Sequence, residues 1–284
     1  MQLNDVGEQL SRIIENTVDQ EARNWLEEKI QKIAREGNAR DMYLTYSLVP
    51  SKIGLQNIQS INSGNDLEGY LRIQKANIQQ ISRIYLLISV LKADREFFTP
   101  KVANIIEVAD TGELETFLKF LILLPNPEAY NTQAVDALRT NVSTVFNAIA
   151  LNNPYPALYF NEQQWNQMYL KTAFMQGDLS AILDVDKRAN KELARIISDY
   201  AHERWAASRD IDPYFWRPVS GFLNATLLAD MKRLLDSTDS LENRAGALCC
   251  YHSDTPEAKK MLEGYPHLLE QVENKILSWK TLKD

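Results

Sequence analysis

Apolar residues in this chain recur at helical spacing, and that periodicity restricts its fold more than any other feature. Leu3, Val6, Leu10, Ile13, Ile14 and Val18 fall at i, i+3, i+4 and i+7, the signature of a helix with one buried face. Trp25, Leu26, Ile30 and Ile33 continue it between Asp19, a capping residue, and Gly37, a residue suited to the position just past a helix end. Asn38 is placed to cap a third helix carrying Met42, Tyr43, Tyr46 and Val49, which Pro50 is expected to end. Residues 51–65, with Gly54 and the run SINSGN, read as the largest mobile connection. Leu67 to Lys92 reads as one long helix, apolar nearly all round toward its end. A turn is expected over 94–100, then two shorter helices over 102–109 and 114–124.

The pattern resumes over Lys191 to Ser208 and again in helices over 223–235, 241–251, 256–264 and 267–279, with PYFWRP at 213–218 as a proline-bounded aromatic turn. The 10 glycines and 10 prolines fall mostly between periodic segments, which leaves little room for sheet. The fold expected is all-α: antiparallel helical pairs forming a HEAT-like α-solenoid or an irregular multi-helical array. We read residues 1–284 as a single all-helical domain, divisible into N-terminal helices (1–130), a central part rich in aromatic and Asn residues (131–220) and HEAT-like C-terminal helices (221–284).

A chain of 284 residues buries a core without disulfide staples. Its 2 cysteines, Cys249 and Cys250, are adjacent inside an apolar helical pattern, which suits a reducing, cytoplasmic compartment. The formal charge of -7, from 31 basic and 38 acidic residues interspersed, supplies no basic field for nucleic acid or an anionic membrane. Neither a signal peptide nor a membrane-spanning run is expected, because the longest apolar stretch, 117–125, is interrupted by Lys119 and far too short.

The densest concentration of Asn, Pro and aromatic residues lies between Leu138 and Met175. Val142, Val145, Phe146 and Ile149 share one helical face, beside a small polar stripe of Asn141, Thr144, Ala148 and Asn152. Asn152 and Asn153 tolerate the left-handed conformation that ends helices, and NNPYP is expected to continue as an extended segment. Asn161 and Gln164 have capping-box spacing, with Phe160 and Trp165 at the positions of a hydrophobic staple. One reading is a pocket walled by Tyr155, Tyr159, Phe160 and Trp165, with Asn141, Asn152, Asn153, Asn166 and Lys171 as polar contacts. The other assigns the asparagines to helix ends and the aromatics to interlayer packing.

Asp199, His202 and Glu203 share a helix face at i, i+3 and i+4 and could present a carboxylate and an imidazole to a metal. The paired Glu-x-x-His elements of a di-iron bundle are absent from a chain with 3 histidines, and Cys249, Cys250 and His252 lack zinc-site spacing. Phosphate-loop, dinucleotide-binding, zincin and nucleophile-elbow motifs do not occur. Arg139, Arg204 and Arg217, each among aromatic or amide residues, are candidates for carboxylate or phosphate recognition, and Arg40 with Asp41 is similar.

Three segments carry a resemblance to a known family: RDMYLTYSLVP at 40–50, RTNVSTVFNAIALNNPYPALYFNEQQWNQMYLKTAFM at 139–175 and DYAHERWAASRDIDPYFWRPV at 199–219. Together they resemble the EboA family, most specifically through NPYPALYF followed by WNQMYLK. With IIEVADTGEL at 105–114 the similarity spans most of the chain, and residues 51–93 and the last helices match loosely. The resemblance implies a component of bacterial gene clusters for secondary-metabolite traffic, encoded beside a UbiA-type membrane prenyltransferase and other enzymes. It carries over no catalytic residue and implies no reaction.

The functional expectation is a noncatalytic cytoplasmic accessory protein, itself not membrane-spanning, or held peripherally at the inner membrane through a partner. It would bind an aromatic or isoprenoid precursor, or dock on a membrane prenyltransferase or another cluster-encoded protein. No cofactor, metal or nucleic acid is expected. The candidate ligand residues are Arg139, Asn141, Asn152, Asn153, Tyr155, Tyr159, Trp165, Asn166, Lys171, His202 and Arg204. Two alternatives stand beside it: a metal-assisted enzyme using Asp199, His202 and Glu203 on a biosynthetic intermediate, and a pure protein–protein scaffold.

Overall fold

The computed structural model describes residues 5–56 and 66–284; most of the expected mobile connection, including SINSGN, and Leu3 lie outside the described residues. The described residues form eighteen α-helices with short 3₁₀ segments and no strand. The chain divides into two compact units, Met1–Tyr155 and Pro156–Asp284, a boundary inside the aromatic and Asn-rich central part.

In the first unit α1 (Val6–Thr17), α2 (Gln20–Glu36) and α3 (Ala39–Lys52) are followed by α4 (Asp66–Ile73) and α5 (Ile78–Ala93). Asp19 and Asn38 cap α2 and α3 by accepting the backbone N–H of Ala22 and Asp41, and Gly37, at φ 60°, ends α2. The expected long helix over 67–92 is broken. Lys75 takes φ 51°, and Asn77 with Gln80 forms a capping box that starts α5 afresh. Helix α5 is buried on most of its circumference and packs against α1, α2 and α3, so it is the axis of this unit.

Pro50 does not end α3, which runs to Lys52. A proline cannot donate to the carbonyl four residues earlier, here that of Tyr46. The Arg83 Nε donates to that oxygen instead, at 3.0 Å. The expected turn over 94–100 is also helical, because the Asp94 side chain caps α6 (Arg95–Ala103) at the Phe97 N–H. A single turn α7 (Ile105–Val108) and α8 (Thr111–Phe120) follow, then α9 (Asn131–Ala137) and α10 (Ser143–Ala150), the last packed on α8.

NNPYP leads into a short helix, α11 (Tyr155–Tyr159), rather than an extended segment. The second unit then comprises α12 (Glu162–Phe174), α13 (Val185–Arg188) and α14 (Lys191–Ala206). The aromatic turn proves to be a ten-residue 3₁₀ helix, Pro213–Phe222, opened by Asp212 accepting the Tyr214 N–H. Its Tyr214, Phe215, Trp216 and Val219 are buried. Next come α15 (Ala225–Leu235), α16 (Ser240–His252), α17 (Pro256–Glu263) and α18 (Pro266–Glu273). Helix α16 packs on the 3₁₀ helix, α15, α17 and α18. The helix expected over 267–279 stops at Glu273, and Lys275 at φ 58° turns the chain into a non-helical C-terminal segment.

Candidate functional site

Most residues singled out in the sequence hold local structure. In the first unit Asn152 takes φ 53°, and its carbonyl accepts the Gln74 Nε2 at 2.8 Å. Asn153 is buried, donating from Nδ2 to the carbonyls of Leu118 and Ala148 and accepting the Tyr155 N–H. Tyr155 is fully buried and donates to the Pro127 carbonyl at 2.9 Å. Arg139 pairs with Asp136 on the surface, and Asn141 is exposed.

In the second unit Asn161 and Gln164 complete the capping box, and Trp165 is buried beneath the Arg188 guanidinium, 5.0 Å from its ring centre. Arg188, which the sequence reading passed over, donates to the carbonyls of Pro156, Ala157 and Phe160 and so satisfies the end of α11. Asn166 and Asn190 exchange side-chain amide bonds at 3.2 and 2.9 Å, joining α12 to the start of α14. Tyr159 and Lys171 are half-buried, and desolvation lowers the Lys171 pKa.

The face of α14 does not gather Asp199, His202 and Glu203 at one point. Asp199 pairs with Arg195, whereas the His202 Nε2 meets Asp230 Oδ1 on α15 at 2.6 Å. The buried Asp230 carboxylate also accepts the Ser198 hydroxyl at 2.6 Å. Serine and histidine therefore converge on one carboxylate and are not bonded to each other, as a Ser-His-Asp nucleophile would require. Among the described residues no group of three or more His, Cys, Asp or Glu side chains is arranged to hold a metal ion. Trp205 lies beside this cluster, between Trp216, stacked at 5.5 Å, and the Arg233 guanidinium at 4.1 Å.

Besides a hollow of about 590 Å³ beside Trp205 and Arg233, two larger ones in the second unit offer room for a ligand. One, of about 810 Å³, is walled by Tyr200, Arg204, Arg209, Asp212, Phe215 and Lys283. Arg204 donates twice to the Asp210 carbonyl, and Asp212 is held by the Lys283 ammonium. The other, of about 600 Å³, opens between α13, the 3₁₀ helix, the end of α16 and the C-terminal segment. Its apolar walls include Pro218, Phe222 and Trp279, and its polar groups include Arg217, Asp186 and His252. Aromatic walls with a few oriented polar groups are the usual character of a small-molecule site. Arg217 and Asp186 make a two-bond ion pair at its edge, at 2.8 and 2.6 Å. His252 has an exposed outer edge, but desolvation lowers its pKa, so it is neutral near pH 7 with one donor and one acceptor nitrogen.

The family model described as "Metabolite traffic protein EboA" matches residues 6–220. The chain belongs to the EboA family. No curated protein and no solved structure matches significantly. The EboA match ends within the 3₁₀ helix, so the 600 Å³ hollow takes Asp186, Arg217 and Pro218 from the EboA-matched part and Phe222, His252 and Trp279 from beyond it. Sequence reasoning reached Arg217 through its aromatic neighbours and met His252 only as part of a rejected zinc site. Trp279 looked like the last core residue of a helix, and no local signal shows that α18 stops six residues earlier.

Proposed function

We propose that this EboA-family protein is a noncatalytic accessory component of metabolite traffic, holding a small amphipathic precursor in the 600 Å³ hollow. The observation that carries this reading is the hollow itself. Its size is in the range of small-molecule sites, about 300–1,000 Å³, and its lining sets the aromatic side chains of Phe222 and Trp279 among polar ones, Asp186, Arg217, Ser220, His252, Ser278 and Lys280. The strongest of those polar groups are spent on each other, Arg217 on Asp186. Such a lining favours holding a ligand over transforming it. The cargo is an aromatic or isoprenoid precursor, and the partner that receives or supplies it is a membrane prenyltransferase or another protein of the same system. No described helix is long and apolar enough to cross a membrane, which fits a carrier that meets the bilayer through a partner.

Gly221 supplies the test, because a Cβ added there meets nothing within 4 Å and so enters open space at the hollow's wall. Gly221→Trp is expected to intrude on the hollow that Gly221 lines, with its Cβ clear of the core. Small-molecule extract of producing cells is passed over immobilised wild-type protein and over the variant. Compounds retained by the wild type and lost by the variant support the reading, and identical retention by both contradicts it.

A further inference from the structure

Among the described residues, the one cation lining this hollow without a carboxylate partner comes from the C-terminal segment, not from the family-matched part. Arg217 is neutralised by Asp186, whereas Lys280 has no ion pair among the described residues. Beside it stands Trp279, 9% exposed and held against Tyr214 with ring centres 6.4 Å apart. The segment is fixed at several points. Leu277 and Leu282 are buried, and Arg244 Nη1 donates to the carbonyls of Leu282 and Asp284 at 3.1 and 2.9 Å. Lys283 binds Asp212 at 2.9 Å and lies 4.9 Å from the Tyr214 ring centre. A wall anchored on both sides of Trp279 and Lys280 is preorganised, so a ligand meets it without a large ordering cost.

We propose that Trp279 and Lys280 select the ligand, the indole covering a planar ring system and the ammonium attracting an anionic group, so that the hollow takes an aromatic acid in preference to its uncharged counterpart. This rests on the hollow being the ligand site. The ring preference follows from the two aromatic side chains in the lining, Trp279 and Phe222. The charge preference follows from the lining, in which Arg217 and Asp186 cancel and His252 is neutral, leaving Lys280 to set the sign. Because the family match ends at residue 220, selection by residues 279 and 280 would let the matched part stay the same while the cargo differs.

The test uses two fluorescent probes with the same arene framework, anionic 8-anilinonaphthalene-1-sulfonate and uncharged N-phenyl-1-naphthylamine, each scored as the binding that Gly221→Trp removes. The wild type is expected to bind the anion about fivefold tighter, the size of one solvent-exposed ion pair. Lys280→Gln should erase that preference and Lys280→Glu should invert it, with the uncharged probe unaffected. Energy transfer from tryptophan to the bound anion should fall in Trp279→Phe by the share of the tryptophan nearest the probe, while Trp165, Trp205 and Trp216 of the same unit still transfer. A preference untouched by both Lys280 variants, or transfer untouched by Trp279→Phe, overturns the selection while leaving the ligand site standing. If Gly221→Trp removes no binding of either probe, the ligand site itself fails.

Discussion

Arg217 and Asp186, 31 positions apart in the chain, meet through parallel bonds, Nε to Oδ1 at 2.8 Å and Nη2 to Oδ2 at 2.6 Å. The pair clamps α13 to the 3₁₀ helix and so fixes two walls of the 600 Å³ hollow. Arg217→Lys keeps the charge and loses the fork. With Asp186 62% exposed, the substitution should cost no more than about 1 kcal/mol of stability. Probe binding in the hollow should weaken by more than that loss, because the walls lose their register. Denaturant titration and probe titration on the same preparation check the two effects; binding unchanged would show that the clamp is irrelevant to the hollow.

In the first unit the Arg83 guanidinium serves α3, α5 and α8 together. It donates to the Tyr46 carbonyl that Pro50 leaves without a helix donor, lies 5.1 Å from the Tyr46 ring centre, and pairs with Glu113 at 3.5 Å. Arg83 and Glu113 are both nearly fully buried, at 7% and 5% exposure. Arg83→Met takes the cation from the buried Glu113 carboxylate, which keeps only the Asp110 N–H, and the donor from the Tyr46 carbonyl, so unfolding stability should drop by about 3–5 kcal/mol. The urea midpoint measures it, and a loss below about 1 kcal/mol would refute the assigned role.

Burial holds both cysteines in the thiol form. Cys250 is pushed up to about 12, and Cys249, which donates to the Trp216 carbonyl at 3.3 Å, lies well above the ordinary thiol range. Since the thiolate is the nucleophile, a chromogenic disulfide reagent at about pH 8 should label neither cysteine in the folded protein and both in denaturant. Rapid labelling of the native protein would contradict their burial.

His252 gives the hollow a pH signature. Desolvation lowers its pKa below the ordinary 6.5, so as pH falls through 6.5 the unfolded chain takes up a proton that the folded chain resists. Its contribution to stability is therefore complete above 6.5 and is lost between 6.5 and the lowered value. His252→Gln should flatten the fall in melting temperature between about pH 7 and about pH 5. Superimposable pH profiles of variant and wild type would remove His252 from this account.

Helix existence was legible in the sequence because the apolar period is local information. The caps at Asp19, Asn38 and Asn161 were equally legible, since each is written in residues three positions apart. The errors came where a distant group decides. Pro50 stays inside α3 because Arg83, 33 positions later, accepts responsibility for the stranded carbonyl. The break before α5 could have been seen, because Asn77 and Gln80 have capping-box spacing, but the apolar run on both sides concealed it. The hollow was not legible: Asp186, Phe222, His252 and Trp279 come from four separate elements, and no periodicity links them. Of the candidate ligand residues, Asn153, Tyr155 and Trp165 are buried in packing and capping roles, whereas Asn141 of the small polar stripe is exposed.

The most direct test of the central claim is native mass spectrometry of the protein isolated from the organism that produces it, beside Gly221→Trp expressed in the same cells. The account predicts that the wild type carries a noncovalent small-molecule adduct, released on unfolding, and that the variant carries none. A wild type with no adduct, or the same adduct on both proteins, would contradict it.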